Sequence, residues 1–189
     1  MRPNPRPKRR PNLILLAALI SALGAPGARA QEAYSYTVSL LGGVGGSFDA
    51  DPDPGAGNRV FQAGFAVITE PRTHVGLRVG RLAVESGELL GSLREPELDY
   101  ATLGAEYRIQ KSYYDSGLLL GLGAYRLRGD DALFGDERED TAVGAMAGVS
   151  GEFHINRHLG FVIELTAHYA DLDEQSVFAW GLAGLALHF

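Results

Sequence analysis

Residues 176–189 read SVFAWGLAGLALHF and end on an aromatic side chain. Counting back by twos from Phe189 gives Leu187, Leu185, Ala183, Gly181, Ala179 and Val177, a face of apolar or small residues. This is the period of a β-strand, whose successive side chains point to opposite faces.

The same period recurs upstream, and no stretch after residue 31 carries a convincing helical one. It predicts eight strands, near Tyr34–Val44, Val60–Thr69, His74–Val84, Leu98–Ile109, Gly117–Leu127, Thr141–Ile155, Leu159–Ala170 and Val177–Phe189. Their connections alternate in length. TEPRT, QKSYYDS and NRH are short, whereas GGSFDADPDPGAGNR, ESGELLGSLREPE, RGDDALFGDERED and DLDEQS are longer and mostly more polar. Short turns on one side, long loops on the other and both termini on the short side describe an even-stranded transmembrane barrel. The long loops hold most of the acids, among them Asp49, Asp51, Asp53, Asp130, Asp131, Asp136, Glu137, Glu139 and Asp140.

The N-terminus reads as an export signal. Arg2, Arg6, Lys8, Arg9 and Arg10 precede an apolar run from Leu13 to Ala25, and Ala28-Arg29-Ala30 supplies a small-residue cleavage site. The run is shorter than the ~20 residues of a spanning helix. Residues 1–30 are therefore expected to be a cleaved signal peptide and 31–189 the barrel domain. Arg9-Arg10 is the only trace of a twin-arginine signal. The chain has no Cys, which excludes a lipid-anchored lipoprotein and any disulfide framework. Removing residues 1–30 takes six of the 17 basic residues and none of the 23 acids, so the remainder carries 11 − 23 = −12 formal charges. That balance argues against nucleic acid as a partner.

A terminal aromatic closing a period-two strand resembles the C-terminal signature of bacterial outer-membrane β-barrels. With its eight strands, the whole chain after residue 30 resembles the small OmpA/OmpX-like barrel class. The resemblance implies an all-β, eight-stranded antiparallel up-and-down transmembrane β-barrel in the outer membrane. It also implies partners: outer-membrane lipids and lipopolysaccharide, periplasmic chaperones, and the barrel assembly machinery, for which Phe189 would be the assembly signal. A soluble lipocalin-like cup alternates as well. Aromatic placement separates the two. Tyr36, Tyr107, Phe153, Phe161 and Phe189 fall on the apolar face at one end of their strands, and Phe61 and Tyr169 do so at the other. Aromatics at two heights form the girdles of a membrane barrel.

Parity assigns the opposite face to the lumen. Strand seven turns Glu164, Thr166 and His168 inward, strand six Met146, Ser150 and Glu152, strand four Glu106 and Arg108, and strand three Arg78. Strand five is ambiguous, because Leu118, Leu120 and Leu122 face out only if Arg126 does too. Arg78, Glu106, Glu152 and Glu164 lie at similar heights, so with Arg108 and neighbouring His168 they are expected to form an ion-pair network that plugs the barrel. Two arginines against three glutamates leave one positive charge missing. Either a Glu holds a proton or another residue supplies a partner.

No catalytic, metal or cofactor site is expected. Eight-stranded lipid A deacylases carry His-x-Ser near the end of strand seven, but here that stretch is His168-Tyr169-Ala170-Asp171. GDDALFGDERED has the hard oxygen ligands of a calcium site without EF-hand spacing. The expected role is therefore structural or surface-interacting, with an extracellular ligand on the acidic loops. The alternative is a narrow porin-like or OmpW-like channel for small solutes.

Overall fold

The structure, a computed structural model, describes residues 36–47, 58–70, 72–83, 89–90, 93–131, 135–173 and 176–189. The expected signal peptide and the loop acids Asp49, Asp51 and Asp53 lie outside them. Eight antiparallel strands make one closed barrel: β1 Tyr36–Ser47, β2 Asn58–Glu70, β3 Thr73–Ala83, β4 Leu93–Gln110, β5 Tyr114–Asp131, β6 Glu137–His154, β7 Leu159–Ala170 and β8 Val177–His188. Each strand pairs with the next, and β1 closes on β8 from Thr37↔His188 to Ser47↔Phe178. At that seam Tyr36 and Phe189 exchange backbone hydrogen bonds of 3.1 and 2.9 Å. Closure leaves no unpaired edge along the seam.

Three short turns and the seam's Tyr36–Phe189 end lie at one end of the barrel, the base. The turn after β6 is set by Asn156, whose Oδ1 accepts from the amides of His158 and Leu159 at 2.8 and 3.0 Å, as Asn does in turns. At the opposite end, the top, the β5–β6 connection turns on Gly135, whose φ of 69° suits a residue without a Cβ.

The strand lengths differ from the expectation. β4, β5 and β6 each run 18 residues, against 11 to 13 for the others. Sequence reading stops these three where charged residues begin, near Leu98, Leu127 and Thr141. The charges instead pair across the wall. Asp99 receives Arg81 and Arg128 at 2.6 Å each, Glu97 lies 3.0 Å from Arg81 and 3.3 Å from Arg128, and Arg126 meets Glu139 at 2.6 Å. Cross-strand neighbours of opposite charge favour the ladder, so polarity does not end it.

Outward faces below this charged zone are apolar on every strand. On β7, Phe161, Ile163, Leu165, Ala167 and Tyr169 are all exposed while their neighbours are buried. On β5 the register runs unbroken from Glu97↔Arg128 to Gln110↔Asp115, so Leu118, Leu120, Leu122 and Arg126 face out together without a bulge. Arg81, Asp99, Arg126 and Thr141 stand opposite one another along the ladder, a row that closes the apolar zone on that side.

Candidate functional site: the barrel lumen

The inward face holds three layers, stacked from base to top. The lowest is ionic. Arg108 on β4 clamps Glu106 with two hydrogen bonds, 3.0 and 3.2 Å, and reaches Glu152 on β6 at 2.5 Å. Ser150 donates to Glu106 at 2.6 Å. Arg78 on β3 crosses the lumen to Glu164 on β7 at 3.3 Å and lies 3.6 Å from Glu106. Gln62 on β2 also donates to Glu164, at 2.8 Å. All five charged residues are at least nine-tenths buried, and buried charges persist only with such partners.

The structure adds a partner for Glu152 that the strand pattern does not mark. His188, the inward neighbour of Phe189, contacts Glu152 through Nε2 and Thr37 on β1 through Nδ1 at 3.0 Å. Asp115 also joins the layer, 3.9 Å from Arg108 and 3.4 Å from the base-lying His154. The sequence pattern places it in a turn, whereas β5 begins one residue before it. Glycines make room for these carboxylates. A Cβ on Gly160 would fall on the Glu152 carboxylate, and one on Gly117 would meet Ser150 Oγ and Glu106 Oε1.

His168 makes no ion pair in this layer; it lies in the next one, which is aromatic. Its ring stacks on Trp180 at 3.8 Å between centroids and contacts Tyr100 and Tyr125 at 5.4 and 5.8 Å. Its two nitrogens are used, by Tyr125 OH at 2.8 Å and Thr166 Oγ1 at 3.1 Å. Tyr100 OH donates to Gln62 Oε1 at 2.9 Å, and Gln62 in turn donates to Glu164, which ties the two layers together. The top layer is aliphatic and aromatic: Val60, Leu82, Leu98, Leu127 and Phe178, with Leu93 and Leu172 above them.

Sequence reading missed that upper core. Parity places Leu82, Leu98, Leu127, Phe178 and Trp180 inward, but an apolar residue on a strand with an apolar outer face gives no contrast to mark it. The signal available was the unbroken apolar character of SVFAWGLAGL, a strand buried on both faces. A cavity of about 30 Å³ lies beside Arg78, Glu106 and Glu164. It has room for roughly one water.

Outside, Tyr36, Tyr107, Phe153, Phe161 and Phe189 all point away from the lumen near the base, and Tyr36 stacks on Phe65 at 5.9 Å. Tyr113, in the turn after β4, and Tyr114, the first residue of β5, extend this set; Tyr114 contacts Phe153 at 6.2 Å. Phe61 and Tyr169 are exposed toward the top. Among the described residues no group of His, Cys, Asp or Glu is arranged to hold a metal ion.

No family model and no curated protein sequence matches the chain. Solved structures do. Neisserial surface protein A superposes with a TM-score of 0.61 at 13% identity, covering 82% of this chain and 97% of that one. The attachment invasion locus protein of Yersinia pestis gives 0.53 at 18%, with the same coverage. A major outer membrane protein of Thermus thermophilus gives 0.62 at 13%, covering 84% of this chain and all of the other. The chain has the fold of the eight-stranded outer-membrane β-barrels.

Proposed function

We propose that this protein resides in an outer membrane as a sealed barrel, with a structural or surface-interaction role and no transport or catalytic one. The observation that carries the reading is the lumen filled at three successive heights, ionic, aromatic and aliphatic. A barrel of this size has an interior just wide enough for side chains to fill. The apolar outer belt, bounded by aromatics at the base and by paired charges at the top, fits a hydrocarbon layer between two polar interfaces. Membrane lipids cover that belt, and Phe189 at the seam lies where assembly machinery would meet the last strand. The tall wall of β4, β5 and β6, whose upper end carries Asp130, Asp131, Glu137, Glu139 and Asp140, is the part that faces other cells or ligands. Two of the structural neighbours are themselves named for surface and attachment roles.

Planar-bilayer recording on the purified protein tests the sealed lumen. The expected trace is silent. Reproducible openings, above all openings altered by Glu152→Gln, would return the channel reading.

A further inference from the structure

The two ends of the barrel treat their cations differently. Toward the top, Arg81, Arg126 and Arg128 are held by Glu97, Glu139 and Asp99, and Arg138 lies 3.7 Å from Asp131. At the base each short turn carries one exposed cation: Arg72 after β2, Lys111 after β4 and Arg157 after β6. None of these three side chains makes an ion pair or hydrogen bond among the described residues. Glu70 is the one exposed acid side chain beside them there.

The turns are fixed in place around the base. The carbonyl of Arg72 accepts from the Arg108 amide at 2.7 Å, that of Tyr113 from His154 at 3.2 Å, and that of His158 from His188 at 2.8 Å. Each bond ties a turn to the strand beyond its hairpin, so the three cations stand on one continuous ring. Exposed apolar side chains flank every one of them. Tyr107 lies opposite Thr73 in the register, next to Arg72; Tyr113 and Tyr114 follow Lys111; Phe153 and Ile155 precede Arg157. Tyr113 is 83% exposed, so its ring has no protein to pack against. Aromatic rings and long cationic side chains share one height where hydrocarbon gives way to headgroups. A water-borne acidic partner would meet the cations and leave these rings uncovered. A lipid headgroup layer meets both.

We propose that the base ring of Arg72, Lys111 and Arg157 binds the phosphates of anionic phospholipids in the leaflet around the base, so that the barrel gathers such lipids about itself. Cations near an anionic membrane surface are attracted to it over about a Debye length. The proposal rests on the membrane reading above and adds a leaflet and a headgroup chemistry to it.

The test inserts the purified protein into vesicles of equal phosphatidylglycerol and phosphatidylcholine and counts, by mass spectrometry, the lipids that stay with the barrel on transfer to nanodiscs. Phosphatidylglycerol should be enriched about fivefold, the preference one cation gives near an anionic surface. Amide exchange at the three turns should be slower than in phosphatidylcholine alone, and both effects should weaken as salt is raised. Arg72→Gln, Lys111→Gln and Arg157→Gln together should bring the two lipids to parity. Arg72→Lys, Lys111→Arg and Arg157→Lys together keep the charge and should keep the enrichment. Enrichment that survives the three glutamines would overturn the proposal. So would its loss to glycerol phosphate at matched ionic strength, which would mark a site for soluble anions, or retention on peptidoglycan fragments without lipid enrichment. Insertion without enrichment overturns this proposal alone, whereas failure to insert into vesicles of either composition overturns the membrane reading and the proposal with it.

Discussion

Among the described residues, Arg108 meets three carboxylates of the buried ionic layer. Its guanidinium meets Glu106 in bidentate fashion, Glu152 at short range and Asp115 at the limit of contact. Replacing it by Met would leave these buried carboxylates facing one another, and breaking a buried pair typically costs about 3–5 kcal/mol. Arg78→Met strands Glu164 but leaves it the Gln62 hydrogen bond, so its cost should be smaller than that of Arg108→Met. Urea unfolding of the barrel in vesicles measures both, and equal costs would mean that Arg108 is not the hub. Gly160→Ala is a third probe of the same layer. Its methyl would displace the Glu152 carboxylate from Arg108 and His188, and overpacking of this kind costs about 1–3 kcal/mol. His188 shows why the layer was only partly readable beforehand. The alternation that puts Phe189 and Leu187 outside puts His188 inside, yet a lone polar residue at a chain end carries no pattern of its own. The pairing across β7 to Glu152 is a non-local fact.

At the scale of the strands, the period-two signal carries all eight, because each has one outer face that must be apolar. Where the apolar belt stops, so does the signal, and the sequence pattern alone places the tops of β4, β5 and β6 in loops. Their stability comes from charge pairs between neighbouring strands, which a single strand's composition does not display. The belt predicts a depth dependence. Leu120 is central on β5, between Tyr114 near the base and Arg126 at the charged row. Leu120→Arg should cost about 2–4 kcal/mol in vesicles, the penalty for a cation at the midplane of a barrel's lipid face. Ala124→Arg, one outward position below Arg126, should cost markedly less. Equal penalties at the two sites would mean that the belt is misplaced. The charged rim makes a separate prediction about pH. The Arg126 hydrogen bond and charge hold the Glu139 carboxyl below its usual range. A depressed folded value means the contact stabilises above the ordinary carboxylate range and is lost as pH falls through the depressed value. Because the pair is exposed, the effect should be local: faster amide exchange near Glu139 in acid, with the exchange of Leu118–Leu122 unchanged.

For the whole molecule, the proposed sealed barrel requires sealing elements that act in series. A solute crossing the lumen would have to pass the Arg78–Glu106–Arg108–Glu152–Glu164 layer, then the Trp180–His168–Tyr100–Tyr125 stack, then the Leu82–Leu98–Leu127–Phe178 cap. A breach in one layer therefore opens a dead-ended pocket and leaves the path closed. Trp180→Ala is the sharpest test, because Trp180 belongs to the middle layer and is almost wholly buried. Removing the indole should destabilise the barrel by about 3–5 kcal/mol, the usual cost of a large-to-small change in a core. It should still leave bilayer recordings silent, because the ionic layer below and the aliphatic cap above remain. Openings in Trp180→Ala alone would show that a single aromatic stack is the gate, and the protein would then be a closed channel rather than a sealed pillar. Silence together with a large loss of stability is what a series of independent seals requires.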